Sequence, residues 1–519
     1  MTPDGADTVA DTHGGPPSQR APWALISTLG AFTTLAALYL GSGAGRERFI
    51  DPDAWHQMAL IREALSLGYL PRTDPFSFTS SVEPLVHHEW GMGVWLYWVG
   101  TTFGAFGLGV LRDLLSLGIG AACIACARRR GTSCPVLWAT APVAIFLLWT
   151  GFSTVRAQMF TLFFLAVLLW FLELDRDGRR WWAYPWLFIH LLWVNMHAGF
   201  VVGGIAFACY LVDRAIHREP IKHLFVIGAA MVALVALNPY GLSYFAYLWH
   251  GLTLDRELIG EWQPIWSMWW PLLAVFAMSL VLALYAIVRS RLGWKDLATC
   301  LFLFATVYAA IRHQRHLSLY AVAWAAFIPP LIQQTPLAAL LNRLLSPSRP
   351  RMAIMASALA VTSVAWYGTQ RVWVPTIPAN PGEHPSLLYP VGAVDYLKEV
   401  EFQGSLISPF EVGAFVSWRS FPDVLVSMDG RFEVAYEPAL LADHQRFYRA
   451  ESSWQGFLRA HVPDAVLARI SAPVADSLTI DDGWEAAYED DVYAVFVPSD
   501  HGLPRVDRRG VRLSTAFPD

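Results

Sequence analysis

Acidic and imidazole side chains gather in one polar stretch, residues 51–90, which lies between two strongly apolar segments. Carboxylates and imidazoles can take or hold a proton during a reaction, and together they provide ligands for Mg²⁺ or Mn²⁺. A polar segment of about 40 residues is too long for a simple connector, so we interpret it as a loop with a chemical task at a membrane surface. The residues concerned are Asp51, Asp53, His56, Asp74, His87, His88 and Glu89.

The start of this stretch predicts an amphipathic helix over residues 54–67. Its apolar side chains recur at helical spacing, which is typical of a helix that lies on a membrane. Gly68 and Pro71 are expected to end the helix, and Asp53 occupies the natural N-cap position. The apolar positions are Trp55, Met58, Ile61 and Leu65.

The composition predicts a polytopic α-helical membrane protein, because 55% of the 519 residues are apolar and only 15% are charged. Apolar runs of about 17–25 residues are long enough to cross a bilayer, and they predict about eleven transmembrane helices within residues 22–374. The predicted spans are 22–42, 107–127, 136–152, 156–173, 181–196, 199–215, 222–238, 270–289, 296–312, 317–334 and 352–371. Residues 1–21 are rich in Gly, Pro, Asp and Thr, and this composition predicts a disordered cytoplasmic tail.

Five basic loops fall on one side of the membrane if the N-terminus is cytoplasmic, as the positive-inside rule requires. This holds only if residues 91–104 lie along the membrane, within a first outer loop that covers residues 43–106. The sequence therefore predicts a multi-pass protein of the inner cell membrane with the acidic loop outside. The basic loops carry Arg128 to Arg130, Arg176 to Arg180, Arg214 to His223, Arg289 to Lys295 and Arg343 to Arg351.

The C-terminal part has a different character, because residues 375–519 carry 22 of the 42 acids but only 11 of the 37 Lys and Arg residues. A Pro-rich linker, 375–391, leads into residues 392–498, where short β-type runs alternate with helical stretches. We expect a small extracytoplasmic α/β domain, followed by a loosely ordered tail at 499–519. Asp429-Gly430-Arg431 follows a strand-like run and is either an ordinary turn or a substrate contact.

The order of motifs in residues 51–90 resembles the first external loop of GT-C-type glycosyltransferases. An aspartate motif after the first span, an aromatic-His pair, the amphipathic helix, Asp-Pro-Phe and a final Glu-Trp follow one another. The superfamily includes the catalytic subunits of oligosaccharyltransferase, protein O-mannosyltransferases and lipid A aminoarabinose transferases. Later motifs, Trp193 to Phe200 and Asn238-Pro239-Tyr240-Gly241, resemble bacterial GT-C-like membrane proteins without assigned substrates.

The resemblance implies an inverting transfer of a sugar from a polyprenyl phosphate or diphosphate carrier to a glycan, lipid or protein acceptor outside the cytoplasm. Such a reaction needs a carboxylate as base. Asp53 matches the family's loop acid best and Asp51 is the second choice. His88 and Glu89 complete the catalytic group that the resemblance implies.

Further polar residues near membrane depth are candidates for binding the substrate. Arg156, Arg312 and Arg315 suit the carrier phosphate, although contact with lipid headgroups is the alternative. Asn195 and His197 are candidates for substrate hydroxyls, or else form a polar cap between two helices. His56 and Asp74 join this group from the loop. The full set is Arg156, Arg312, Arg315, His56, Asp74, Asn195 and His197.

Some members of the superfamily use a divalent ion and others do not, so no cofactor is certain. Asp51, Asp53, His88 and Glu89 are the candidate ligands for Mg²⁺ or Mn²⁺. Family metal sites also use an acid in the second outer loop, whereas Gly151 to Gln158 contains none. This departure weakens the metal hypothesis.

Two other functional classes compete with glycosyl transfer. A transporter or flippase for a lipid-linked substrate would predict internal repeats, and none is convincing in the sequence. A non-catalytic scaffold for envelope assembly would use the outer domain. The sequence has no nucleotide-binding motif, and nucleic acid is not expected as a partner.

Overall fold

The computed structural model describes residues 28–30, 32–36, 39, 49–253, 260–291, 295–345 and 374–517. Among the described residues up to 345, helices predominate and are joined by loops, the longest described one at 68–89. The helices are α1 (Pro52–Leu67), α2 (Trp90–Arg129), α3 (Cys134–Leu147), α4 (Trp149–Phe152), α5 (Ala157–Arg176), α6 (Ala183–Met196), α7 (Phe200–Ile216), α8 (Lys222–Leu234), α9 (Ser243–Thr253), α10 (Trp270–Arg289), α11 (Leu297–Arg312), α12 (Leu317–Ile332) and α13 (Pro336–Leu344).

Three of the described helices, α2, α5 and α10, are long and apolar enough to cross a membrane. The pair α12 and α13 passes the same test together but bends by 92°, so it forms a broken span or a re-entrant loop. Helices α3, α8 and α11 are apolar but shorter. The total of eleven spans stays a prediction, since 352–371 and most of 22–42 lie outside the described residues.

Helix α2 breaks at the end of residues 91–104, the segment that was predicted to lie along the membrane within the first outer loop. Gly104 has φ 61° and ψ −154° inside the 40-residue helical run, a conformation that is essentially restricted to glycine. Before the break, Val94, Trp95 and Trp98 are exposed, as expected for side chains that contact lipid. The position of the membrane relative to this break stays a prediction.

Ion pairs join several of the predicted cytoplasmic loops at one end of the helices. Arg130, just after α2, pairs with Asp296 before α11. Arg176 at the end of α5 lies 3.2 Å from Asp213 of α7 and 3.1 Å from Asp296. The polar residues assigned to the outer side lie at the opposite ends of these helices. Which end faces the cytoplasm stays a prediction.

Helix α1 is buried between α2 and the C-terminal α/β domain, which we call the outer domain after its predicted position. Trp55 and Met58 are completely buried, and the Trp55 ring centre lies 5.9 Å from that of Tyr389 and 5.2 Å from that of Phe415. The helical periodicity was correct, but the prediction that this face rests on the membrane is wrong. Its apolar side chains cover protein instead, while Leu65 at the far end of the helix stays exposed.

The C-terminal part forms a mixed six-stranded sheet in the order β2-β1-β3-β5-β4-β6. Strands β1, β2 and β3 are parallel, β3, β5 and β4 are antiparallel, and β6 runs parallel to β4. The predicted α/β class is confirmed. Its elements are α14 (Val391–Glu399), β1 (Gly404–Ile407), α15 (Phe410–Ser420), β2 (Val424–Val426), α16 (Pro438–Tyr448), α17 (Gln455–His461), β3 (Ala465–Arg469), α18 (Pro473–Ile480), β4 (Trp484–Glu489), β5 (Tyr493–Pro498) and β6 (Val506–Asp507).

The segment after β5 returns to the membrane domain, so the prediction of a loosely ordered tail is wrong for residues 499–517. The Phe517 ring centre lies 5.2 Å from that of Trp55. The Phe517 carbonyl accepts the backbone N–H of Ala105 at 3.1 Å, directly after the break in α2. Several contacts anchor this segment: β6 pairs with β4, the Thr515 carbonyl accepts the Ile377 backbone N–H at 3.0 Å, and Phe517 packs against Trp55. The segment has no apolar periodicity from which this order could be predicted.

Candidate active site

Asp51 and Asp53 lie in different surroundings at the start of α1. The Asp51 side chain is 4% exposed and accepts hydrogen bonds from the Thr154 hydroxyl at 2.8 Å and the Asp53 backbone N–H at 3.1 Å. Asp51 is therefore the N-cap of α1, and the prediction that Asp53 caps this helix is wrong. The Asp53 side chain is 48% exposed, and its Oδ1 lies on the side of Gly430 in the outer domain. We call the space around this exposed carboxyl group, between the start of α1 and residues 429–431, the cleft.

Arg156, directly before α5, lies between three carboxylates. Its Nε is 2.8 Å from Asp51 Oδ2, and its Nη2 is 3.5 Å from Asp53 Oδ2. Its Nη1 donates a hydrogen bond to Glu261 Oε2 at 2.8 Å. Opposite charges this close stabilise one another strongly where water access is limited. One guanidinium thus organises acids from two separate segments.

Glu261 joins Arg156 to a second arginine. Arg315 Nη1 lies 3.0 Å from Glu261 Oε1, and the guanidinium is 4.7 Å from the Trp262 ring centre. The Gln158 amide fixes Arg315 from the other side, because it donates to the Arg315 carbonyl at 2.8 Å. Burial would raise the pKa of Glu261, but the two arginines hold this pKa below its usual value. Glu261 is therefore ionised at neutral pH.

The surroundings of Asp53 favour its protonated form. Enclosure by protein, followed by the negative charge of Asp51, raises the pKa of Asp53 to about 8. Arg156 opposes this rise, whereas Glu89 and Glu261 add to it. Solvent in the cleft moderates the rise because almost half of the side chain faces it. A carboxyl group that titrates near neutral pH is suited to proton transfer.

Glu89 precedes α2 and is held by three donors. Its Oε1 lies 3.4 Å from His88 Nε2 and 3.5 Å from His197 Nε2, and the Gln57 amide donates to its Oε2. Burial would raise the pKa of Glu89, but His88 and His197 lower it to about 2. Glu89 therefore carries a full negative charge near the cleft.

The contacts of His197 define its tautomer. The Gly199 backbone N–H donates to His197 Nδ1 at 3.1 Å, and the Thr161 hydroxyl lies 2.7 Å from the same nitrogen. Because Nδ1 accepts, the neutral ring carries its proton on Nε2, which faces Glu89. Burial lowers the pKa of His197 to about 4, so this neutral form dominates at neutral pH.

The outer domain borders the same cleft through residues 429–431. A Cβ added at Gly430 would lie 3.9 Å from Asp53 Oδ1. The Arg431 N–H donates to Asp429 Oδ1 at 3.1 Å, so the segment is a turn, and the same turn brings Gly430 beside Asp53. The backbone of a separate domain therefore forms one wall around the exposed carboxylate.

Asp74 joins the loop to this wall and does not face the cleft. Its Oδ2 accepts from Arg431 Nη2 at 2.7 Å and from the Ser77 hydroxyl at 2.6 Å, and the side chain is 1% exposed. Burial would raise the pKa of Asp74, but Arg431 and these hydrogen bonds lower it to about 2. The prediction that Asp74 contacts substrate is corrected, because its oxygens are engaged within the protein.

His56 lies one turn after Asp53 on α1, and its ring centre is 6.0 Å from that of His87. Burial, followed by the charge of Arg431, lowers the pKa of His56 to about 3. Burial also lowers the pKa of His87. Within the described part of the chain, His56 Nδ1 and His87 Nε2 have no hydrogen-bond partner. Two neutral imidazole nitrogens are therefore left for water or a hydroxyl group.

Two of the predicted substrate contacts lie elsewhere. Asn195 Oδ1 accepts from Trp90 Nε1 at 3.2 Å, and its amide donates to the Leu191 carbonyl at 2.9 Å. Asn195 is thus the polar cap between helices that the sequence left as the alternative. Arg312 ends α11 with an exposed side chain, whereas Arg315 reaches the acid cluster.

The predicted metal ligands do not converge on one point. Among the described residues, no group of three or more His, Cys, Asp or Glu side chains is arranged to hold a metal ion. Arg156 occupies the space beside Asp51 and Asp53, while Glu89 Oε1 faces two imidazoles. A divalent cation needs several free oxygen ligands at short distance. The arrangement of these residues therefore does not fit Mg²⁺ or Mn²⁺.

No protein-family model and no curated protein matches the sequence, but solved structures match the fold. AglB, an archaeal oligosaccharyltransferase from Archaeoglobus fulgidus in complex with an inhibitory peptide and a dolichol-phosphate, gives a TM-score of 0.52 at 12% identity over 87% of this chain and 70% of its own. The apo form of the Archaeoglobus fulgidus oligosaccharyltransferase gives 0.56 at 13% identity over 93% of this chain and 75% of its own. Both are GT-C glycosyltransferases. The chain has the GT-C fold.

A further GT-C match is the arabinofuranosyltransferase AftD from Mycobacteria, with a TM-score of 0.52 at 13% identity. The match covers 92% of this chain but only 40% of AftD. The resemblance inferred from residues 51–90 is confirmed for the fold. Identities this low carry the fold alone, so the roles of Asp53, His88, Glu89 and the arginines stay predictions.

Several residues of the cleft were missed or left out of the predicted site. Gln57 follows Asp53 by four residues, so the helical repeat alone places it on the same face. Glu261 was left out of the predicted site, because its partnership with Arg156 and Arg315 depends on tertiary structure. The position of Gly430 beside Asp53 likewise leaves no signal in local sequence.

Proposed function

We propose that this protein is a glycosyltransferase that moves a sugar from a polyprenyl phosphate or diphosphate carrier to an extracytoplasmic acceptor, with inversion at the anomeric carbon. The GT-C fold supports this function, and AglB, which shares the fold, binds a dolichol-phosphate. The observation that carries the proposal is the half-exposed Asp53 carboxylate, which lies beside Arg156 in a cleft bordered by the outer domain.

Asp53 acts as the base in this proposal. It takes the proton of the acceptor group as that group attacks the anomeric carbon, and the bond between sugar and phosphate breaks with its electron pair on the leaving phosphate. The raised pKa of Asp53 supports this role, because a stronger base accepts the proton more readily. Asp51 holds the start of α1 and is not the base.

The arginines receive the carrier phosphate. Guanidinium groups suit phosphate oxygens because their N–H groups form paired hydrogen bonds. Arg315 is fixed by Gln158 and Glu261 and lies on the same side of the cleft as Arg156. Arg312, three residues earlier, is exposed and attracts the phosphate toward this site. Positive charge there stabilises the departing phosphate as its negative charge develops.

The acceptor enters on the side of the outer domain. Gly430 keeps the space beside Asp53 Oδ1 open. Glu89, held ionised by His88 and His197, orients donor or acceptor hydroxyls.

Purified protein tests this proposal directly. Mass spectrometry of copurifying lipids should find a polyprenyl phosphate species, and the glycan profile of a deletion strain should lose a defined sugar. The sugar identified in that profile then defines a synthetic polyprenyl-linked donor for transfer assays. Protein that binds no polyprenyl phosphate and transfers no sugar from such donors would remove the basis for the proposal.

Asp53→Asn should lower the transfer rate by about 10²- to 10⁴-fold, the range for loss of a general base. The fold should remain, because the side chain is half exposed. Asp443→Asn is the matched control, since it makes the same change at an exposed surface pair with Arg446. Equal rates for Asp53→Asn and the native protein would exclude Asp53 as the base.

A further inference from the structure

The acid cluster of the cleft is built around one cation. Three carboxylates, from Asp51, Asp53 and Glu261, each face a different nitrogen of Arg156. Two of these acids begin α1, and the third comes from the turn Gly260–Trp262. Carboxylates from separate segments repel one another, so they converge only around positive charge. In metal-dependent enzymes a divalent ion often fills such a position.

We propose that Arg156 is the resident cation of this cluster and supplies, between Asp51, Asp53 and Glu261, the positive charge that a divalent metal ion supplies in metal-dependent enzymes. The proposal deepens the proposed function, on whose donor chemistry it rests. According to this proposal, arginine side chains supply the positive charge at the site of sugar transfer.

The geometry of the guanidinium supports this role. Arg156 contacts Asp53 through Oδ2, whereas Oδ1 lies on the side of Gly430 and the cleft. A planar cation with fixed donors can hold one oxygen of a carboxylate in place while the other faces a substrate. Arg156 is thus a positioning residue for Asp53. Arg315 is a second positive charge, which pairs with Glu261. It pairs with neither aspartate of α1 in the described ion pairs.

Removal of the guanidinium should create a metal site. In the native arrangement the three carboxylates do not converge closely enough to hold a metal ion. Without the guanidinium that separates them, they can move together and provide hard oxygen ligands for Mn²⁺. We expect the native protein to bind no Mn²⁺ at this position and Arg156→Ala to bind one equivalent, as measured by electron paramagnetic resonance of Mn²⁺ added alone. Arg156→Lys keeps a positive charge in the cluster and should bind none.

Two matched variants assign the new site to these residues. Asp51→Asn in the Arg156→Ala background should weaken Mn²⁺ binding at least tenfold. Arg315→Ala removes an arginine that pairs with Glu261 but with neither Asp51 nor Asp53 in the described ion pairs, so it should create no Mn²⁺ site. If Arg156→Ala does not fold, the native protein still decides. One equivalent of Mn²⁺ bound to it, and lost in Glu261→Gln, would overturn the proposal.

Transfer activity provides a separate readout. The native protein should transfer sugar at the same rate after treatment with EDTA as before. A native rate that falls at least tenfold with EDTA and returns with Mn²⁺ would also overturn the proposal. Mn²⁺ binding to the variants requires no sugar donor, so failure of the proposed glycosyl transfer leaves this measurement intact. If Arg156→Ala folds but binds no Mn²⁺, the proposal that Arg156 is the resident cation is wrong. The proposed glycosyl transfer is not affected by that result.

Discussion

Two aspartates separated by a single residue have different roles at the start of α1. Asp51 is buried, accepts hydrogen bonds from Thr154 and from the helix backbone, and anchors the helix. Asp53 follows Pro52, extends into the cleft and is half exposed. A helix turns by about 100° per residue, so a two-residue offset presents the second carboxylate to a different environment. The spacing of the two aspartates predicts that they point in different directions. The surroundings that bury Asp51 and leave Asp53 exposed could not be predicted from the sequence, because they come from distant parts of the chain.

The rate of sugar transfer should rise with pH as Asp53 ionises. Only the ionised carboxylate can accept a proton, so the rising limb of the kcat/KM profile reports the pKa of Asp53, which is raised to about 8. Glu261 contributes to this rise through its negative charge. Glu261→Gln should therefore lower the pKa of Asp53 and move the rising limb to lower pH.

Glu451→Gln makes the same change at an exposed surface pair with Arg449 and should leave the profile in place. The measurement is the initial rate of transfer at subsaturating donor over the pH range in which the protein stays folded. A limb that moves to higher pH in Glu261→Gln, or does not move, would contradict the electrostatic coupling between Glu261 and Asp53.

Helices α1 and α2 show what periodicity can and cannot predict. The spacing of Trp55 and Met58 identified α1 as amphipathic, and both side chains are buried. Lipid and protein are both apolar surroundings, however, so the sequence did not distinguish burial against Phe415 from contact with a membrane. The GT-C resemblance and the α/β class of the outer domain followed from motif order and alternating runs. The position of Glu261 required the tertiary fold.

Gly104→Ala tests the break in α2. A side chain at φ 61° and ψ −154° is strained, so the substitution should cost about 1–3 kcal/mol of stability. Gly120→Ala is the matched control, since it lies in the same helix and a Cβ there would meet no atom within 4 Å. Thermal unfolding of detergent-purified protein measures both. Equal unfolding temperatures would show that α2 tolerates a regular backbone at Gly104.

The membrane domain and the outer domain meet across the cleft, and neither builds it alone. The loop contributes Asp53 and Asp74, and the outer domain contributes Gly430 and Arg431. The apolar contact between Phe517 and Trp55 joins the two parts on the other side of α1. This arrangement makes the geometry around the proposed base a property of the complete chain.

Asp74→Asn should weaken the attachment of the outer domain. Arg431 would keep Asp429 but lose one of its two buried carboxylate partners, and removal of one member of a buried ion pair costs about 3–5 kcal/mol. We expect about 3 kcal/mol, since Asp429 remains. Unfolding temperature and the rate of proteolysis of the outer domain measure the effect. Asp443→Asn at the surface should change stability by less than about 1 kcal/mol.

The contribution of Asp74 also depends on pH. Its folded pKa of about 2 lies below the value of about 3.9 expected for an unfolded chain. The stabilisation is therefore fully present above that unfolded value and is lost as pH falls toward 2. The difference in stability between native protein and Asp74→Asn should shrink over this window. A difference that stays constant down to pH of about 2 would show that the ion pair does not supply it.

The pairing of Asp74 with Arg431 spans 357 residues of chain. At a synthesis rate of about 5–20 residues per second, roughly 20–70 s separate the appearance of these two side chains. During this interval α1 is already made, but the wall at Gly430 does not yet exist. The surroundings of Asp53 are therefore incomplete for most of synthesis. If Asp53 is the base, as proposed, sugar transfer can begin only after translation has nearly ended.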